Sequence, residues 1–319
     1  MIAARALWMV APGRCEIRGE TLAPACGHVP VRMLATGISR GTEALVFAGR
    51  VPPSQYAVMA APLMGGAFPF PVKYGYAGVG TLDSGARVFV LAPHQDVLLA
   101  PASMCVPVPD AVPTRRAVLA ANMETALNIA WDAAPLMGEC MTVIGAGVVG
   151  LLTAALLARI PAARVTVIDI DPARAGVVRA FGCDFAGPDD APGNQELVVH
   201  ASASEAGLRL ALDHAAFEGR IVEASWFGDR SPAVPLGEAF HQRRLRLISS
   251  QVGSIGGAMR GRRTHTQRLA AALELLVDPV FDRLLEPPTD FEALPDVMPR
   301  LLSGGLCHVV TYRKPSCSA

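Results

Sequence analysis

The spacing of apolar residues changes along this chain. Up to about residue 117 they come in short runs, several of them alternating, cut by Pro and Gly. Arg5-Ala-Leu-Trp-Met-Val10, the turn Ala-Pro-Gly-Arg14 and Cys15-Glu-Ile-Arg18 predict a β-hairpin. Further strands are predicted over 28–35, 74–80, 86–92 and 96–100, which together suggest a small barrel-like β domain. Residues 51–70 show little periodicity and read as a long loop or a short helix; such loops are often functional.

From about 118 to 255 helix-length and strand-length apolar patterns alternate. Helices are predicted over 116–134, 172–181 and 206–216, and strands over 197–201, 220–225 and 245–252. Alternation of this kind predicts a parallel sheet covered on both faces. Its strand C-termini line a ligand crevice, which places Ala201, Ser202, Ser225, Trp226 and Gln251 near a bound ligand. The remainder predicts helices over 268–277 and 294–302, a closing strand over 307–312 that returns to the first domain, and a frayed tail at 314–319. The expected division is 1–117, 118–260 and 261–319.

At the centre lies Cys140-Met-Thr-Val-Ile-Gly-Ala-Gly-Val-Val-Gly150, followed by an apolar helix and by Arg164-Val-Thr-Val-Ile-Asp169. Gly145, Gly147 and Gly150 form G-x-G-x-x-G. The first allows a tight turn, the second a close approach of backbone to a pyrophosphate, the third close packing of helix on strand. The helix start at Val148 and Val149 would face the phosphate charge. Asp169, nineteen residues after Gly150, is placed to bind both hydroxyls of an adenosine ribose. The glycines alone are weak evidence, since they also serve ordinary turns. The preceding strand, the following helix and the spaced acid favour a dinucleotide site over a βαβ unit that binds nothing. A carboxylate at 169 repels a 2′-phosphate and favours NAD(H) over NADP(H); Arg174, five residues on, could soften that preference.

Composition narrows the classes. The 319 residues suggest roughly two domains, and 51% hydrophobic content suffices for a large core. With 28 basic and 28 acidic residues there is no basic excess for nucleic acid or an anionic membrane. No run approaches the ~18 apolar residues of a membrane span. The first ten residues carry Arg5 and read as a strand rather than a signal peptide. Seven cysteines, at 15, 26, 105, 140, 183, 307 and 317, are scattered without C-x-x-C, which predicts reduced thiols in a cytoplasmic protein.

A β-rich domain, an inserted nucleotide-binding domain and a C-terminal return resemble the medium-chain dehydrogenase/reductase superfamily over nearly the whole chain. The segments that carry the resemblance are Thr36-Gly-Ile-Ser-Arg-Gly-Thr-Glu43, Tyr74-Gly-Tyr-Ala-Gly78 and the glycine turn. Gly-Ile-Ser-x-Gly-Thr-Glu is similar to a segment of a zinc-less group that includes the bacteriochlorophyllide hydroxyethyl dehydrogenases. Pro93-His-Gln-Asp96, Asn122-Met-Glu-Thr-Ala-Leu-Asn128 and Ser249-Ser-Gln-Val-Gly-Ser254 are similar to a bacterial subgroup usually called zinc-binding alcohol dehydrogenases. The resemblance implies a GroES-like β-rich catalytic domain beside a Rossmann doubly wound parallel sheet, a small-molecule substrate, and a homodimer joined at about 245–252.

Zinc members of the superfamily place Cys, His-Glu and a further Cys or Asp at positions held here by Ser39 or Arg40, by Tyr76-Ala77 and by Ala121. These residues lack the thiolate and imidazole that catalytic zinc takes. The four-cysteine lobe is also missing, so neither catalytic nor structural zinc is expected.

Without zinc a side chain must manage the proton and the oxyanion. Tyr76 is the first candidate; an aromatic merely filling the space of a metal is the alternative. Strand alternation would put Tyr74 and Tyr76 on one face and Lys73 on the other. His94 is the second candidate, against a loop histidine without a role. Glu124 and Thr125 open a helix, where the resemblance sets Thr125 against the nicotinamide and capping is the plainer role. Ser39 and Glu43 either orient the site or stabilise a turn. His241 with Arg243, Arg244 and Arg246 reads as a solvated basic patch. The expected function is a zinc-independent, NAD(H)-dependent alcohol–carbonyl oxidoreductase, with secondary metabolism as its setting. Alternatives are reduction of an activated C=C bond and non-catalytic NAD(H) binding.

Overall fold

A computed structural model describes residues 1–312, so the tail at 314–319 and Cys317 lie outside the described residues. The described residues form two compact units, one of residues 1–121 with 269–312, the other of Asn122–Arg268.

The first unit is β-rich. Ile2–Ala11 and Arg14–Leu22 form an antiparallel hairpin, turned at Gly13 with φ +71° and longer at both ends than its apolar alternation predicted. Val72–Lys73 and Gly65–Gly66 extend that sheet. A second sheet runs Thr289–Asp290, His308–Thr311, His28–Ile38, Gly78–Thr81, Arg87–Val90, Val106–Pro107, with Val97–Pro101 also pairing with His28–Ile38. The returning strand is therefore paired directly with an N-terminal one, Val309 opposite Gly37 and Val310 opposite Thr36. Leu7, Met9, Ile38, Val46, Phe47, Phe291, Leu294, Met298 and Val310 share one core.

One expectation changes here, the segment 51–70 keeps to its reading as loop with a short helix, and one helix is new. The strand predicted over 74–80 is present only as Gly78–Thr81; residues 74–77 have no regular structure, and Gly75 has φ +131°. A side chain on Gly75 would also meet Pro93 Cα at 3.1 Å and His94 N at 3.2 Å. The segment 51–70 contains a 3-10 turn, Pro53–Gln55, and a short helix, Tyr56–Met59. A helix at Arg40–Phe47 was not anticipated.

The second unit holds a six-stranded sheet in the order Asp184–Ala186, Arg164–Ile168, Cys140–Ile144, Gln195–His200, Ala215–Glu223, Arg246–Ser249. All neighbouring pairs are parallel. Counted along the chain this is 3-2-1-4-5-6, the doubly wound dinucleotide-binding order, with its reversal between strands 1 and 4. Ile144, Ile168, Val198, Leu212 and Ile221 pack together in its core. The fold class is α/β: a GroES-like β-rich unit and a Rossmann unit.

The sequence missed Asp184–Ala186, three residues too short for any period to show. It ran a helix to 216, but Glu205–His214 stops before extended Ala215, which opens the next strand. The helix predicted over 116–134 is two pieces, Thr114–Ala117 and Ala120–Ala133. No described helix is long and apolar enough to cross a membrane.

Candidate functional site

The glycine turn connects Cys140–Ile144 to the helix Val148–Leu157, beside the reversal of strand order. Each glycine has a distinct reason to be there. Gly145 has φ +108°, and a Cβ on it would stand 2.8 Å from Ser202 N. A Cβ on Gly150 would stand 1.9 Å from the carbonyl oxygen of Gly145, so helix and turn pack only without it. Gly147 is different: it is the N-cap at φ −77°, and a Cβ on it would meet nothing within 4 Å. Space at the residue that starts the helix is what close approach of a phosphate to a helix N-terminus requires.

Asp169 follows the second strand and is half-buried. Its Oδ2 accepts from Ala146 N at 2.6 Å and its Oδ1 from Asp171 N at 2.9 Å. The carboxylate is thus fixed to the glycine turn itself. Arg174 Nε lies 3.2 Å from Asp171 Oδ2, so the arginine that could have softened cofactor preference is paired with a different acid.

Ala201 and Ser202 follow strand 4, Ser225 and Trp226 follow strand 5, and Gln251 follows strand 6. All lie beyond strand C-termini of one sheet. Ser202 and Ser225 belong to a network that sequence reading did not foresee. Fully buried His200 lies 2.7 Å from Glu223 Oε2 through Nδ1 and 2.7 Å from Ser202 Oγ through Nε2. Ser202 Oγ lies 2.8 Å from Ser204 Oγ, which accepts from Gly207 N and caps the next helix. A polar residue within the apolar run Leu197-Val-Val-His200 was the available signal. Gln251 is exposed, and its Oε1 accepts from Gly253 N at 2.7 Å.

In the first unit a second constellation gathers around the helix Arg40–Phe47. Tyr76 is half-buried, and its hydroxyl is bonded to Ser39 Oγ and to the Thr42 side chain. Burial pushes the phenol from 10.0 to about 12, with the Ser39 and Thr42 bonds opposing and Glu43 adding slightly. Tyr74 and Tyr76 meet edge to face with centroids 6.2 Å apart, while Lys73 Nζ reaches Glu20 and Gln95 instead. The separation predicted by strand alternation is thus achieved by an irregular segment.

His94 and Glu43 are both buried. His94 Nε2 lies 2.9 Å from Glu43 Oε2, and Nδ1 lies 2.6 Å from Thr36 Oγ1, which is 3.0 Å from the Tyr312 hydroxyl. The other oxygen of Glu43 accepts from Ser39 N at 2.8 Å. Glu43 is the acid that orients His94; Asp96, its neighbour in sequence, binds Arg5. Both ring nitrogens of His94 are engaged by protein partners, and the residue is 1% exposed.

Glu124 does not open its helix. It lies in the second turn of Ala120–Ala133 rather than at a helix start, and its Oε1 accepts from Arg268 Nε at 3.0 Å. Burial raises its pKa and Arg268 opposes the shift. Thr125 is half-buried in the same turn. In the basic patch, Arg243 donates to the carbonyls of Asp213 and Ala215 and Arg244 pairs with Glu218.

A metal can be tested against these donors. Among the described residues no three His, Cys, Asp or Glu converge on a common point. Ser39 and Tyr76 are bonded to each other, and His94 and Glu43 spend their ligand atoms on protein partners. This donor set does not fit catalytic zinc.

No family model matches the sequence, and no curated protein matches it. Solved structures share the fold across nearly all of both chains. An L-idonate 5-dehydrogenase from Escherichia coli K-12 superposes with TM-score 0.80 at 14% identity, covering 97% of this chain and 98% of its own. A short chain alcohol dehydrogenase from E. coli CFT073, complexed with NADH, gives 0.78 at 17%, covering 97% and 99%. A protein assigned as a zinc-binding dehydrogenase from Sinorhizobium meliloti 1021, bound to NADP, gives 0.77 at 15%, covering 98% and 100%.

Proposed function

We propose that this protein is a medium-chain dehydrogenase/reductase that interconverts an alcohol and a ketone or aldehyde on a small metabolite or biosynthetic intermediate, with NAD(H) and without zinc. The observation that carries this is the glycine turn, with Gly147 open, Gly145 and Gly150 sterically required, and Asp169 bonded to the turn through Ala146 N. Dehydrogenases bound to NADH and NADP share the fold.

Gly147, Val148 and Val149 would hold the pyrophosphate, and Asp169 the adenosine ribose hydroxyls. When bound, the nicotinamide supplies or takes up the hydride. Tyr76 manages the proton. A phenol held near 12 is protonated at neutral pH, so Tyr76 Oη, whose proton points at Ser39 Oγ, would turn it to a carbonyl oxygen and pass it on as that oxygen gains charge. Ser39 and Thr42 fix the hydroxyl, and Glu43 with His94 sets the backbone at Ser39 from behind. We further propose a cytoplasmic homodimer working in secondary metabolism; the open edge strand Arg246–Ser249, with Leu247 exposed, supports the dimer.

The test is incubation of purified protein with NAD and size-fractionated metabolite extract, followed by NADH absorbance. NADH formation tied to one fraction, unchanged by a metal chelator, is the expected result. Loss of activity on chelation overturns zinc independence. NADPH consumption with an activated alkene favours the C=C reductase, and no turnover in either direction favours non-catalytic NAD(H) binding.

A further inference from the structure

Two sequence segments take no part in the proton transfer proposed above: Asn122-Met-Glu-Thr-Ala-Leu-Asn128 and Ser249-Ser-Gln-Val-Gly-Ser254. In the structure they are two sides of one polar staple. The helix Ala120–Ala133 presents Glu124, Asn128 and Asp132, spaced by four and therefore in one stripe. Along that stripe lies the loop 250–257, which follows the sixth strand and precedes the short turn Gly257–Met259. It contains Gly253, Gly256 and Gly257 and has no apolar anchor of its own apart from half-buried Val252 and Ile255 and buried Gly256.

The helix supplies the anchors. Asp132 accepts from Ser250 Oγ at 2.7 Å and from Gly257 N at 2.8 Å. Asn128 Oδ1 accepts from Gly256 N at 2.8 Å. Arg268, 2% exposed, closes the staple: Nε donates to Glu124, Nη1 to Asn128 Oδ1 and Ser254 O, and Nη2 to Val252 O at 2.5 Å. A Cβ on Gly256 would stand 2.8 Å from Trp131 Cβ, so the loop lies directly on the helix.

Stability alone is a poor reason for a buried guanidinium, because well-packed apolar residues serve as well or better. What a planar fork adds is geometry: it fixes two loop carbonyls relative to one helix. The loop begins at a strand C-terminus, on the edge where doubly wound sheets bind ligands. Asp169 marks strands 1–3 as the adenosine half, which leaves strands 4–6 for the nicotinamide half.

We infer that Arg268, with Glu124, Asn128 and Asp132, positions the 250–257 loop to receive the nicotinamide half of the cofactor. This rests on the NAD(H) reading above. Arg268 is a positioning residue, and its influence is selective: it governs the nicotinamide nucleotide and leaves the adenosine half alone.

The experiment measures calorimetric affinity for NADH and for ADP-ribose, which lacks the nicotinamide, in wild type, Arg268→Lys and Glu124→Gln. Lysine keeps the charge but cannot form the fork. Arg268→Lys is expected to weaken NADH about tenfold, as loss of a charge-assisted bond does, and to leave ADP-ribose within about twofold. Equal weakening of both ligands, or of neither, overturns the inference. Should Arg268→Lys fail to fold, Ser250→Ala at the far end of the staple takes its place: a smaller NADH-selective loss is expected, and no loss overturns the inference. Wild type that binds neither ligand overturns the cofactor reading itself; wild type that binds ADP-ribose but not NADH keeps the adenosine site and overturns the inference alone.

Discussion

The imidazole of His94 lies 2.9 Å from the carboxylate of Glu43, and neither reaches solvent. Fifty-one positions separate them in the chain. A proton shared on the Nε2 side leaves Nδ1 to accept from the Thr36 hydroxyl, so the ring is held at both ends. Removing one partner strands the other as a buried polar group. His94→Ala is expected to destabilise the protein by about 3 kcal/mol in urea unfolding. His94→Gln, which keeps a donor, should cost less. Equal, small effects of both would show that the pair is not structural.

Tyr76→Phe keeps the ring and removes only the hydroxyl. Carbonyl reduction should fall roughly 100-fold or more, the usual contribution of a positioned proton donor. The melting temperature should hold. In the wild type, Tyr76 is protonated well above its ordinary pKa, so reduction should show no falling limb from this residue until the pH approaches about 12. A loss of activity centred near 10 that persists in Tyr76→Phe would place the proton donor elsewhere.

Buried acids of the other kind set an alkaline limit on stability. Burial raises the thiols of Cys183 and Cys307 from 9.0 to about 12, and that of Cys15 to about 11. The unfolded chain releases these protons near 9, the folded chain only near 11 to 12. The stabilisation is therefore complete below about pH 9 and is lost as pH rises toward 12. Cys183→Ala should flatten the decline of unfolding free energy between pH 9 and 11, whatever its effect at pH 7.

Gly147→Ala and Gly150→Ala should separate binding from folding. Gly147 has open space and an ordinary φ, so alanine should leave the melting temperature alone and weaken NADH binding. At Gly150 the Cβ would collide with the Gly145 carbonyl, so alanine should destabilise the fold itself. Identical behaviour of the two variants would refute the division of roles.

Asp169→Asn removes a charge that accepts from Ala146 N and Asp171 N. Affinity for NADH should fall about tenfold, and discrimination against NADPH should narrow. Steady-state KM values for the two cofactors check this. Asp171→Asn, which frees Arg174 from its partner, should narrow discrimination without weakening NADH.

The residues from Cys140 to Asp169 determined their own structure. A five-residue apolar strand, three glycines, an apolar helix and a second strand ending in an acid are all local, and local sterics fix what each glycine does. The alternation of helix and strand likewise determined a parallel sheet. Tertiary structure decided what no local pattern carries. The strand Asp184–Ala186 exists because Arg164–Ile168 offers it an edge to pair with. Residues 74–77 leave the strand because Gly75 turns them against Pro93 and His94. Nothing local to Glu43 or Glu124 announces its partner: His94 and Arg268 arrive from 51 and 144 positions away. A charged side chain advertises chemistry locally, while whether it faces a substrate or a buried counter-charge depends on which distant element packs over it.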